Sequence, residues 1–175
     1  MIDRIPDLAA AGVTSFKIEG RMKSMYYVAT VVSAYRAALD EYLADPEGYV
    51  YDPHHFDELC KASHREFTHG FYYNKPTDKD QNYLTSDYIR DYSFVGLVGD
   101  TDRSTGLTSV EQRNKFSVGD EIEIFGPRTP YYTETITEMY NEEGEPVTSA
   151  PHPQQKLKIR FARVPGKDFI MRKKK

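Results

Sequence analysis

The sequence predicts an α+β protein, helical in its first part and built of short antiparallel strands in its second. Two changes of pattern carry this reading. Over residues 24–44 apolar side chains recur at helical spacing, whereas from Tyr92 onward they alternate with polar ones at a period of two. A third observation fixes the scale: 175 residues suffice for one ordinary domain or two small ones.

The chain opens with a predicted helix over Asp3–Ala11, stopped by Gly12, and an extended segment, VTSFKI, over residues 13–18. A longer amphipathic helix follows from Ser24 to Ala44, with Ser24 as its N-cap and Tyr27, Val28, Val31, Val32, Tyr35, Ala38, Leu39 and Tyr42 on its apolar side. Asp45-Pro46 ends it, because the residue before proline avoids helical geometry. A shorter helix is predicted from Pro53 to about Ser63, capped by Asp52, with Phe56, Leu59 and Cys60 inward. The segment from Arg65 to Tyr83 mixes aromatics with turn formers and reads as an irregular connector. Five strand-like runs come next: SFVGLVGD, GLTSVEQR, VGDEIEIFG, YTETITEMY and KLKIRFARV. So many short strands in this length suggest a small closed barrel or sandwich. The expected organisation is a helix–strand–helix over 1–50, a connector over 51–90 and a β-domain over 91–175. A lone strand between helices implies a parallel sheet whose partners lie outside these residues, so self-association through orphaned elements is an expected possibility.

Composition narrows the functional classes. Fourteen Tyr and nine Phe with 29% charged residues describe a globular, aqueous protein. Apolar runs are too short to span a bilayer and the N-terminus is charged, so a cytoplasmic location without membrane attachment is expected. One cysteine, Cys60, cannot supply a disulfide or a multi-cysteine metal site. The charge is uneven: residues 91–155 hold 4 Lys/Arg against 12 Asp/Glu, and residues 156–175 hold 9 against 1.

Chemistry is concentrated in SFKIEGRMKS. Alternation puts Lys17 and Glu19 on one side of the segment, with Arg21 and Lys23 just beyond, at the strand end where βα barrels place their sites. Lys17 and Glu19 are catalytic candidates or, equally compatible with the spacing, a structural ion pair. His64, Arg65, Glu66 and His69 form a second cluster, of which His64 and Arg65 join Arg21 and Lys23 as candidate substrate contacts. The histidine spacing is a poor metal pattern, and no metal site is expected. Cys60, within an apolar helical pattern, reads as a core residue. Near the C-terminus Lys156, Lys158, Arg160, Arg163 and Lys167, with Phe161, Phe169 and Arg172–Lys175, form a basic strip able to follow a nucleic-acid backbone, or else one solvated strand face and a frayed end.

The run IPDLAAAGVTSFKIEGRMKS, continuing to Tyr49, and the later ELCKASHREFTHGFYY resemble the C-terminal third of the collagenase-like peptidase family U32, and within it the members tied to hydroxylation of the wobble uridine of transfer RNA. The resemblance implies a TIM-like barrel ending in the βα unit of residues 13–44, a helical connector and a C-terminal β-barrel domain. It implies a parent protein acting on transfer RNA or, as its collagenase members suggest, on protein substrates. The iron–sulfur cluster of some members sits on barrel cysteines upstream of the point matching Met1. This chain alone is therefore expected to hold no cofactor and to be non-catalytic, or to serve as an RNA- or protein-binding module.

Overall fold

The computed structural model describes residues 1–78 and 87–175. The chain divides into two compact units, Met1–Asp91 and Tyr92–Lys175. Residues 79–86, within the expected connector, lie outside the described residues.

In the first unit a 3-10 turn, Ile2–Arg4, leads into α1 (Ile5–Ala10), whose proline stands in the first turn, where its missing N–H costs nothing. Gly12, at φ 78°, takes the left-handed conformation that turns the chain away. The long helix, α2 (Met25–Ala44), begins where the sequence places it: the Ser24 hydroxyl accepts the Tyr27 N–H at 3.2 Å. Ser24→Ala should destabilise this unit by about 1 kcal/mol, read as a lower urea midpoint for loss of helical circular dichroism. At the other end Asp45 leaves the helix and its carboxylate accepts the Gly48 N–H at 3.0 Å. The third helix, α3 (His54–Cys60), is shorter than predicted, with the Asp52 carboxylate accepting the His54 N–H at 2.8 Å.

The core of this unit joins Ile2, Ile5, Val31, Ala34, Ala38, Leu59 and Ala62, with Ile18 and several tyrosines against it. Two expectations about facing are corrected. On α2 the packed side centres on Val31, Ala34 and Ala38, where α1 and α3 lie, and leaves Val28 and Val32 exposed. On α3 the buried residue is His55 rather than Phe56, because Nε2 of His55 meets the Glu41 carboxylate at 2.7 Å, so the ring can be buried with a partner. The expected strand over 13–18 does not form. Exposure nevertheless alternates, with Phe16 and Ile18 half-buried and Ser15, Lys17 and Glu19 exposed, as a segment with one packed side requires. Among the described residues no neighbour offers it a ladder.

The second unit is a seven-stranded antiparallel sheet: β1 (Tyr92–Asp102), β2 (Leu107–Gln112), β4 (Glu121–Gly126), β5 (Thr129–Thr135), β6 (Glu138–Tyr140), β8 (Lys156–Arg160) and β9 (Ile170–Lys174), in the order β5-β4-β9-β1-β2-β8-β6. A separate pair joins β3 (Phe116–Ser117) to β7 (Ser149–Ala150). Edge strands β5 and β6 are separated by only Ile136 and Thr137. Laid flat, the sheet edges would stand about 29 Å apart, yet that link reaches only about 10 Å. The sheet therefore curls round on itself, helped by bulges in β1 and β4. Its inner face buries Val95, Val98, Val110, Ile122, Ile124, Leu157, Ile159 and Met171, alternating with outward polar residues as in β8, where Leu157 and Ile159 point in and Lys156, Lys158 and Arg160 point out.

The expected frayed end is corrected most sharply. Residues 170–174 form β9, which lies between β1 and β4, inside the sheet. Arg172 is fully buried: its Nε donates to the Glu123 carboxylate at 2.7 Å, and its guanidinium lies 4.7–5.6 Å from the ring centres of Phe125, Tyr131 and Tyr92. Phe161 is buried and Phe169 is packed against the same core, so neither stands between charges on a surface strip.

Candidate functional site

The first unit gathers three of the predicted residues around one that the sequence reading missed. An isolated antiparallel bridge pairs His64 with Ile89 through both backbone bonds, 3.2 and 2.8 Å. Antiparallel register then sets Arg65 opposite Tyr88. The Arg65 guanidinium lies 4.9 Å from the Tyr88 ring centre, the Lys23 ammonium 4.5 Å and the Arg90 guanidinium 5.7 Å. Lys23 also donates to the Tyr88 hydroxyl at 3.3 Å and lies 5.3 Å from the Tyr27 ring centre. The Lys23 hydrogen bond, then the charges of Lys23 and Arg65, hold the Tyr88 phenol below its ordinary range. Each cation gains from the negative face of the ring, but three like charges on one exposed phenol repel one another. Among the described residues Arg65 and Arg90 have no carboxylate within ion-pair distance. The cluster therefore favours an anion beside it.

His64, the third predicted member, fixes this geometry. Its Nδ1 meets the Ala62 carbonyl oxygen at 2.8 Å, and its ring stacks on Phe67 at 4.8 Å between centres with 12° between planes. The remaining candidates lie apart. Lys17 is exposed. Glu19 is exposed, and its carboxylate accepts the Arg21 N–H at 3.0 Å, steadying the turn that leads into α2. Nothing brings Lys17 and Glu19 into a buried pair.

The basic strip of the second unit has a different character. Lys156 is ion-paired with Glu111; Arg160 donates to Glu138 at 3.1 Å and to the Thr105 carbonyl at 3.2 Å. Lys158 donates to the Glu142 carbonyl at 2.8 Å, and Arg163 lies 4.2 Å from the Tyr132 ring centre. Carboxylates from neighbouring strands thus offset much of its charge, so a phosphate would compete with partners already in place.

A second polar group surrounds His69. Its Nε2 reaches both Asp3 carboxylate oxygens, at 3.0 and 3.1 Å, and its ring meets Tyr73 edge-on at 5.6 Å. Burial alone would raise the Asp3 carboxyl, but the His69 bond and the N-terminal ammonium outweigh it and hold it below the usual range. Tyr73 donates to Asp7 at 2.5 Å. The acidic partners come from the first turns of the chain, where no spacing signal links them to a histidine 66 residues away.

Among the described residues no group of three or more His, Cys, Asp and Glu is placed to hold a metal. The residues present do not fit an iron–sulfur cluster: the single cysteine, Cys60, is half-buried, and burial followed by the charges of Asp57 and Asp91 pushes its thiol up, away from the thiolate a ligand or nucleophile needs. No helix among the described residues is long and apolar enough to cross a membrane.

Comparison with known proteins gives a consistent result over both units. Residues 1–82 match the profile of peptidase family U32, and residues 90–172 that of the peptidase family U32 C-terminal domain. The chain is 39% identical over 175 residues to the tRNA hydroxylation protein P1 of Bacillus subtilis (strain 168), covering 100% of this chain and 42% of that protein. It is 28% identical over 137 residues to a collagenase of Porphyromonas gingivalis, covering 75% of this chain and 37% of that protein. The chain thus spans less than half the length of these relatives. A crystal structure of the C-terminal domain of a Geobacillus thermoleovorans protein assigned to U32 is 39% identical, covers 47% of this chain and 99% of its own, and superposes with a TM-score of 0.42.

Proposed function

The chain belongs to peptidase family U32, and from that premise we propose that it is the RNA-gripping part of a protein that hydroxylates uridine in transfer RNA. On this reading the first unit is the last βα unit of a TIM-like barrel and the second a small β-barrel. The unladdered segment 13–18 and the exposed Val28 and Val32 on α2 support the former; the two-residue link between the sheet edges supports the latter. Catalysis and any iron–sulfur cluster belong to residues outside this chain.

The observation that carries the reading is the Lys23–Arg65–Arg90 cluster on Tyr88, a cationic, aromatic surface suited to a phosphodiester. It is tested in a cell lacking the full-length protein. Re-expression of the wild type should restore hydroxylated uridine in hydrolysed transfer RNA, whereas the Lys23→Glu, Arg65→Glu pair should lower it at least tenfold at equal protein level. Full restoration by that pair would overturn the proposal. The likeness to a collagenase favours a second reading, hydrolysis of protein substrates. Cleavage of gelatin by the full-length protein, together with an unchanged nucleoside profile on its deletion, would put that reading in place of the first.

A further inference from the structure

Directly after Arg65 in sequence, the chain from Glu66 to Lys75 folds round a hollow of about 330 Å³. Its size falls at the lower end of small-ligand sites, which begin at about 300 Å³, and suits one nucleoside. The wall is mixed in chemistry. Phe67 lines it, nearly half exposed, with His64 stacked on the ring. Asn74, Glu66 and Lys75 offer an amide, a carboxylate and an ammonium. An amide both donates and accepts, so it can meet the N–H and C=O groups that alternate along a pyrimidine edge. His69 completes the lining, its Nε2 held by the Asp3 carboxylate. An ionised Asp3 can only accept, so Nε2 of His69 carries a proton and donates it to that carboxylate.

We propose that this hollow holds a single unpaired pyrimidine nucleotide, its base stacked on Phe67 and its edge read by Asn74, Glu66 and His69, while the flanking phosphate lies at the Lys23–Arg65–Arg90 cluster. Arg65, next in sequence to both His64 and Glu66, ties the two places together. This deepens the RNA reading and rests on it. A base paired within a helix could not enter, so the hollow takes a base that is out of its stack.

The test is an NMR titration of the full 175-residue chain with uridine 5′-monophosphate, beside ribose 5-phosphate as a control that carries the phosphate without the base. Saturable shifts of the Asn74 amide and the Phe67 and His69 ring signals are expected with the nucleotide, at a dissociation constant of about 1 mM. Ribose 5-phosphate should leave the ring signals unmoved. Phe67→Ala should weaken nucleotide binding roughly tenfold and Phe67→Trp should keep it, because stacking tolerates any aromatic face. Equal response to both ligands, no saturation by about 10 mM (tenfold above the expected constant), or full binding by Phe67→Ala would overturn the pocket. Loss of RNA binding by the Lys23 and Arg65 variants, with the Phe67 and His69 ring signals still shifted by a more weakly bound nucleotide, supports separate base and phosphate subsites. RNA binding untouched in those variants, with the nucleotide still bound, would remove the cluster's assignment and the phosphate half of this proposal.

Discussion

Arg172→Ala is expected to remove roughly 3–5 kcal/mol from the stability of the second unit, enough to unfold it at modest urea. The guanidinium is wholly buried, and its partner Glu123 is only 16% exposed. Truncation therefore leaves a carboxylate with little water, opens space among Tyr92, Phe125 and Tyr131, and forfeits the ring contacts at once. A domain of this size holds only about 5–15 kcal/mol in reserve. Glu123→Gln combined with Arg172→Met should recover much of the loss, because an uncharged pair of similar volume has no ion to desolvate. Urea unfolding followed by tyrosine fluorescence would check both. An Arg172→Ala midpoint within error of the wild type would show that the pair contributes nothing. Deleting residues 172–175 should be at least as damaging, since it removes most of a strand that β1 and β4 both bond.

That result bears on what could be read in advance. The helical elements were legible because capping and periodicity are local: Ser24, Gly12 and Asp45 act within one turn of themselves. The strands of residues 92–126 were legible for the same reason, through alternation against one core. The pattern failed at β9, where only Ile170 and Met171 are apolar and three lysines and an arginine follow. Hydropathy counts that arginine as a surface charge, and the cage that makes it interior is assembled from three other strands or strand ends. The split of YTETITEMY into β5 and β6 was hidden likewise, because alternation runs through the corner that carries the chain from one sheet edge to the other. At the site, Lys23, His64 and Arg65 stood out as polar residues within distinctive runs. Tyr88 and Arg90 did not, being brought to them by a single bridge between His64 and Ile89 that no periodicity announces.

The same distinction between paired and unpaired cations leads to the second large effect, on RNA binding by the purified chain. Neutralising Lys23, Arg65 and Arg90 to glutamine should weaken binding to a single-stranded RNA about 10- to 100-fold at low salt and lower the slope of log K against log salt by about 2. Each cation that meets a phosphate releases counterion, and three lost contacts at about 0.7 each account for that figure. The matching triple change in the second unit, Lys156, Lys158 and Arg160 to glutamine, should move affinity less than about threefold. Two of those cations already face Glu111 and Glu138, so a phosphate would have to displace a carboxylate and would gain little net charge compensation. The two triples thus make opposite forecasts for the two basic regions under one assay. A large slope change from the second-unit triple, with none from the first, would transfer the phosphate contact to the β8 face and leave the Tyr88 cluster as a structural clasp between residues 23, 65 and 90.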